Sequence, residues 1–102
     1  MKILLCCSHG MSSSIFVKAL RKEIQNQNLD YNVAGVSIYE ISKYIDKADV
    51  ILLAPHVKYA FEHISEICKI KKIPILDIDM IDYGAMKAKN VLKNIQEHCK
   101  EY

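Results

Sequence analysis

The sequence predicts an α/β domain: a four-stranded parallel sheet in the order 2-1-3-4 with helices on both faces. Three observations carry that expectation. Apolar runs of strand length alternate four times with segments whose apolar residues recur every three or four positions. The runs are nearly continuous in apolar character, as strands covered on both faces are. The chain has 102 residues, room for one core, and shows no linker, repeat or low-complexity stretch. Residues 1–102 therefore read as a single domain. Right-handed crossovers then favour the order 2-1-3-4.

Each element has its own signal. Residues 2–7 (Lys2-Ile3-Leu4-Leu5-Cys6-Cys7) form the first strand. Residues 13–27 form a helix with Ile15, Phe16, Ala19, Leu20 and Ile24 as its inward stripe. Residues 31–36 are the second strand, and residues 39–46 a short helix with Ile41, Tyr44 and Ile45 inward. Residues 49–54 are a buried strand that Pro55 stops. A helix over 57–70 places Val57, Ala60, Phe61, Ile64 and Cys68 on one face. Residues 74–78 are the fourth strand. The last helix, 85–100, aligns Ala88, Val91, Leu92, Ile95 and Cys99.

Composition narrows the function. Hydrophobic residues are 51% and charged residues 25%, a globular balance. The net charge is +2, and no basic stripe carries interleaved aromatics, so nucleic acid is not an expected partner. No apolar run approaches the roughly eighteen residues of a membrane span. The N-terminus lacks a signal-peptide pattern, so a cytoplasmic location is expected. The four cysteines (Cys6, Cys7, Cys68, Cys99) have neither disulfide-framework nor zinc spacing. No metal and no cofactor are expected.

Chemistry concentrates at Cys7. It ends the first strand and is followed by Ser8-His9-Gly10-Met11-Ser12-Ser13-Ser14, small residues leading into a helix. Ligands of doubly wound sheets bind beyond the carboxyl ends of the strands, at the point where strand order reverses. A helix N-terminus there offers unpaired amides and partial positive charge, suited to a tetrahedral oxyanion. A thiol in that setting is expected to be acidified and nucleophilic. Gly10 is expected where the backbone takes φ > 0 or approaches the ligand closely. Met11 is expected to pack beneath the loop, and the hydroxyls of Ser12, Ser13 and Ser14 to cap the helix or touch phosphate. Cys6 should face the other side of the sheet as a core residue, although oxidation could join it to Cys7 in a strained vicinal disulfide. Cys68 and Cys99 lie on core stripes. His56 should stand at the end of the third strand, near Cys7, as a hydrogen-bond donor or a solvated loop residue. Tyr59 and Tyr83 are core or rim residues with a possible supporting role, and Asp79 is a rim carboxylate or a brace for Tyr83-Gly84.

Cys7-Ser8-x-Gly10-Met11-Ser12-x-Ser14 after a strand closely resembles the enzyme IIB components of the bacterial sugar phosphotransferase system, lactose/cellobiose (chitobiose) class. Ala48-Asp49-Val50-Ile51-Leu52-Leu53-Ala54-Pro55-His56-Val57-x-Tyr59 is similar to the family's third strand and following loop. Ile78-Asp79 with Tyr83-Gly84 is similar to the end of its fourth strand. The resemblance implies a fold like that of low-molecular-weight tyrosine phosphatases and the role of a phosphoryl carrier. Cys7 would accept the group from a phosphohistidine of enzyme IIA, and the sugar would receive it during passage through the membrane permease IIC. Residues 8–14 would cradle the group. His9 and His56 depart from the family, where a small residue and Gln are common.

Two other classes compete. A low-molecular-weight phosphatase or arsenate reductase shares the cysteine loop, but its Cys-x5-Arg arginine forks the phosphate. Here that position is Ser13, which favours a persistent phosphocysteine over hydrolysis. A receiver domain needs acidic residues where this chain has Cys6-Cys7 and Pro55-His56.

Overall fold

The computed structural model describes residues 1–8 and 10–99, and for residues 10–13 the backbone alone. Four strands, β1 (Lys2–Cys7), β2 (Asn32–Ser37), β3 (Val50–Leu53) and β4 (Ile75–Asp77), form one sheet in the order β2-β1-β3-β4, as expected. All pairings are parallel. β1 pairs with β2 from Lys2↔Asn32 to Cys7↔Ser37, and with β3 from Ile3↔Val50 to Cys6↔Leu53. Every residue of β3 is buried, whereas β2 is an edge strand with Ala34 and Gly35 exposed. Continuous apolarity therefore marks the middle of the sheet, where both faces are covered, and fades at its edge.

Five α-helices connect and cover the strands: α1 (Gly10–Asn26), α2 (Ile41–Tyr44), α3 (Phe61–Lys71), α4 (Met80–Gly84) and α5 (Ala88–Cys99). α1 packs against α5 on one face. Right-handed crossovers put α2 and α3 on the other. Phe16, Leu20 and Ile24 are the buried stripe of α1, joined by Val17. Ile15 was expected inward but is 57% exposed, because one residue turns a helix by about 100° and Phe16 already occupies the buried direction. Tyr44 is likewise turned out, while Ile41 and Ile45 on either side of it are buried. α2 spans one turn and passes into a 3₁₀ turn at Ile45–Lys47.

One expected helix is divided, and one short helix before the last was not expected. The segment expected as one helix over 57–70 opens with a 3₁₀ stretch, Pro55–Ala60, which breaks at Val57 (φ −116°, ψ 22°) before α3 begins. The segment after β4 forms α4, then a turn through Met86 (φ 56°), then α5. Asp79 caps α4: its Oδ1 accepts from the amides of Ile81 at 2.8 Å and Asp82 at 3.3 Å. At the opposite end of the sheet Asp49 braces β1, its Oδ2 accepting from the Lys2 amide at 2.6 Å.

α3 ends at Lys72 in the left-handed conformation (φ 59°, ψ 41°), its amide reaching the carbonyls of Cys68 and Lys69. Lysine carries a Cβ penalty there that glycine lacks. Lys72→Gly is expected to raise unfolding free energy by roughly 0.5–1 kcal/mol, net of the glycine's extra freedom in the unfolded chain, as read from urea denaturation.

Candidate functional site

Cys7 ends β1, one of the two strands with a neighbour on each side. Its carbonyl accepts from the Ile38 amide at 2.9 Å, and the Cys6 carbonyl accepts from Ala54 at 3.1 Å. Both neighbouring strands therefore hold the last residues of β1 in place. The Cys7 side chain is 3% exposed, and its Sγ donates to the Val36 carbonyl at 3.6 Å. It lines a groove of about 330 Å³ between α1 and β2, together with Ser14, Val17, Lys18, Arg21, Gly35 and Ser37. The thiol is thus packed below yet open to a channel at its side.

The segment after Cys7 is more helical than a loop reading suggests. α1 begins at Gly10, so only residues 8 and 9 connect it to the strand. Most of the expected cradle is the first turn of a 17-residue helix. Amides of a first turn have no intrahelical acceptor, and this short connection brings them to the end of β1. No glycine among the described residues has positive φ, and Gly10 is the first residue of α1. Ser8 is a half-buried bend residue, and Ser14 is exposed and lines the groove. His9 and the side chains of Met11, Ser12 and Ser13 lie outside the described residues.

The other cysteines differ from Cys7 in their surroundings. All four are free thiols. Cys6 is fully buried, and burial, then Cys68, then Cys7 push its pKa up to about 12. Burial pushes Cys68 up to about 11. Cys99 is raised by burial and then by Asp49. A thiol that stays neutral at physiological pH is a poor nucleophile.

His56, Tyr59 and Tyr83 stand at the same end of the sheet in different roles. Tyr83 stacks tilted on Phe16, with ring centroids 4.9 Å apart, and lies 6.0 Å from the His56 ring. That chain of rings ties α4 and the Pro55–Ala60 turn to α1. His56 itself is exposed. Tyr59 is 72% exposed, and Tyr39 is 73% exposed. Sequence reading did not single out Lys18 or Arg21, since exposed cations on a helix carry no signal of their own. Arg21 is committed: its Nε and Nη2 both donate to the Val33 carbonyl, at 3.2 and 2.9 Å. A larger depression of about 550 Å³ between α1 and α5 contains no cysteine or histidine. Among the described residues no cluster of His, Cys, Asp or Glu could hold a metal, and no helix is long and apolar enough to cross a membrane.

Comparison with known proteins adds independent observations. Residues 2–94 match the family model of the lactose/cellobiose-specific IIB subunit of the phosphotransferase system. The chain is 32% identical over 95 residues to a cellobiose-specific EIIB component of Lactococcus lactis subsp. lactis, covering 88% of each chain. It has the same identity and coverage with a galactose-specific EIIB component of Lactococcus lactis subsp. cremoris. In three dimensions it is similar to the solution structure of a cellobiose-specific IIB component from Borrelia burgdorferi, with TM-score 0.82 and 35% identity over 99% of this chain and 93% of that one. A lactose-specific IIB domain from Streptococcus pneumoniae superposes with TM-score 0.86 at 17% identity, over 96% of each chain, and shows the shared fold.

The cysteine environments predict an alkaline effect. The folded-state pKa of Cys6 is raised from 9.0 to about 12, so the stability that comes from keeping it neutral is complete below pH 9.0 and is lost as pH rises toward 12. Cys6→Ala should flatten the decline in urea midpoint over that window relative to wild type, whatever its cost at neutral pH. At neutral pH, iodoacetamide should modify Cys7 before the other three thiols, as peptide mass mapping would show.

Proposed function

The chain belongs to the lactose/cellobiose-specific IIB family of the phosphotransferase system, and from that premise we propose that it is a phosphoryl carrier with Cys7 as the carrying residue. The observation that supports this most is the position of one thiol. Cys7 ends one of the two interior strands, opens sideways onto a groove, and is followed after two residues by the first-turn amides of α1. Those amides are suited to the equatorial oxygens of a phosphoryl group in transfer. The donor is a phosphohistidine of enzyme IIA. The P–N bond breaks as the S–P bond forms, and the thiol proton leaves with the imidazole. The acceptor is a hydroxyl of a sugar of the lactose/cellobiose class, presented by the permease IIC. The protein then works at the inner face of the membrane through that partner.

The surroundings favour carriage over hydrolysis. Ser13 stands where a phosphatase loop has its arginine. Arg21 does not replace it. Val33, which Arg21 holds, is in register with Ile3, four residues before Cys7, or roughly 13 Å along the strand. A phosphoryl group on Cys7 would therefore lack the guanidinium fork that makes hydrolysis fast.

Exposed apolar side chains support a docking role for this end of the sheet. Tyr39 follows β2, Tyr59 follows β3, and Met80 and Ile81 follow β4; each is more than 70% exposed. Together they rim the end at which Cys7 lies. The IIA donor must approach here, and a modest, short-lived apolar contact suits a carrier that changes partners.

Intact mass after incubation with phosphoenolpyruvate, enzyme I, HPr and a candidate IIA tests the reading. Wild type should gain one phosphoryl group that maps to Cys7, and Cys7→Ser should gain none while keeping its fold. Cys6→Ala should still accept. No added mass on wild type, beside turnover of a phosphotyrosine mimic, would favour the phosphatase-like reading. Replacing Tyr39 and Tyr59 together by Ser should raise the IIA concentration for half-maximal transfer about tenfold, with the saturating rate little changed.

A further inference from the structure

The groove beside Cys7 has a charge asymmetry that the cysteine loop does not explain. Its lining contains two cations, Lys18 and Arg21, and no carboxylate. Arg21 is spent on the edge strand, both its Nε and Nη2 on the Val33 carbonyl. Lys18 is exposed, and no carboxylate among the described residues forms an ion pair with it. Ser14, Lys18 and Arg21 follow the i, i+4, i+7 spacing of a single helix face, so the groove runs down α1 from the Cys7 end. Lys18 lies four residues below Ser14, about 6 Å along the axis, roughly the reach of an extended lysine stem. Helical side chains lean toward the N-terminus, which directs this ammonium up the groove toward Ser14 and Cys7.

The opposite wall leaves that route open. Gly35 on β2 presents no side chain, and a Cβ built there would meet Val17 Cγ2 at 3.6 Å, an ordinary contact. Its φ is negative, so the backbone does not require glycine. A side chain at this position would stand in the groove across from Lys18.

We propose that Lys18 is a catalytic residue of the carrier, its ammonium entering from the α1–β2 groove to contact the oxygens of the phosphoryl group on Cys7. This rests on the carrier reading and deepens it. The backbone amides of α1 supply fixed donors, and Lys18 supplies the full positive charge that Ser13 cannot. A lysine is a point charge on a flexible stem, whereas an arginine in the loop would be a rigid fork. It can follow the group as the P–N bond of the donor breaks and the S–P bond forms, and release it when the S–P bond breaks in favour of the sugar oxygen. Such a cation speeds transfer without holding a water for attack.

Two readouts on the same variants test this. The first is the rate of Cys7 alkylation by iodoacetate, an anion, relative to iodoacetamide, which is neutral. That ratio reads charge at the thiol and needs no donor. It should fall about fivefold in Lys18→Met and return in Lys18→Arg, and the difference should shrink with added salt. The second is phosphoryl acceptance from IIA, which should be about tenfold slower in Lys18→Met and close to wild type in Lys18→Arg. Gly35→Glu, which offers Lys18 a carboxylate inside the groove, should reproduce both losses, and Gly35→Gln should not. Lys18 is exposed, so unchanged circular dichroism and thermal midpoint are expected for its variants. If wild type accepts phosphate and Lys18→Met accepts it equally fast, the assignment of Lys18 is overturned and the carrier reading stands. An unchanged alkylation ratio in Lys18→Met overturns it as well. If wild type accepts no phosphate, the carrier reading fails and this assignment fails with it.

Discussion

The site depends on one constraint, the pairing of β1 on both sides. The chain leaves the end of β1 through α1 toward β2, and it leaves the end of the adjacent β3 through α3 toward β4, so the two connections run in opposite directions. Between those diverging connections, at the carboxyl ends of β1 and β3, a cleft opens. Cys7 stands at its base, with Ile38 and Ala54 closing the ladder around it. Burial of the strand fixes the thiol to within the tolerance of sheet geometry. The cleft leaves it reachable. A loop cysteine would be reachable without being fixed, and a mid-strand cysteine fixed without being reachable.

Strand alternation divides labour between adjacent cysteines. Cys6 and Cys7 differ by one residue and therefore face opposite sides of the sheet. Cys6 enters the core beside Cys68, where burial holds it neutral. Cys7 faces the seam between α1 and the edge strand β2, where Ser37 is its register partner and Gly35 stands two residues back along the groove. Its freedom to react comes from that neighbouring strand as much as from the residues that follow it. On the far side of the cleft, Phe16, Tyr83 and His56 form a run of rings that holds α4 and the turn after β3 against α1. Those elements carry the exposed Tyr59, Met80 and Ile81, so the same contacts that complete the core present the apolar rim.

Much of this was legible in the sequence because it follows from period. The four strands, their order and the place of Cys7 come from apolar runs and crossover handedness, both of which act locally and strongly. What escaped lay where two signals overlap. Ile15 reads as core by its type, yet Phe16 beside it takes the buried direction. Met80 and Ile81 are apolar and follow a strand, so the one-turn helix capped by Asp79 was hidden by their type. Cys7 and Ser14 could be joined from spacing alone. Lys18 could not, because a lysine one turn further along a helix reads as solvated surface. Its significance lies in what faces it: an open glycine on an edge strand, an arginine already occupied, and no acid. None of these is adjacent to Lys18 in sequence.

A carrier has a different requirement from a hydrolase built on the same frame. It must lower the barrier for donor and acceptor alike and leave the phosphocysteine long-lived between them. Preorganised amides suit this, because they stabilise the transferring group in both directions and activate no water. A rigid guanidinium fork would bind the group more tightly and stabilise attack by any nucleophile, water included. In the proposed carrier, Ser13 in the first turn of α1 and an Arg21 held on Val33 of β2 would separate those two outcomes. The remaining need is for charge that can arrive with the phosphoryl group and depart with it. A flexible cation in a side groove meets that need, while the buried half of the site keeps the thiol from moving.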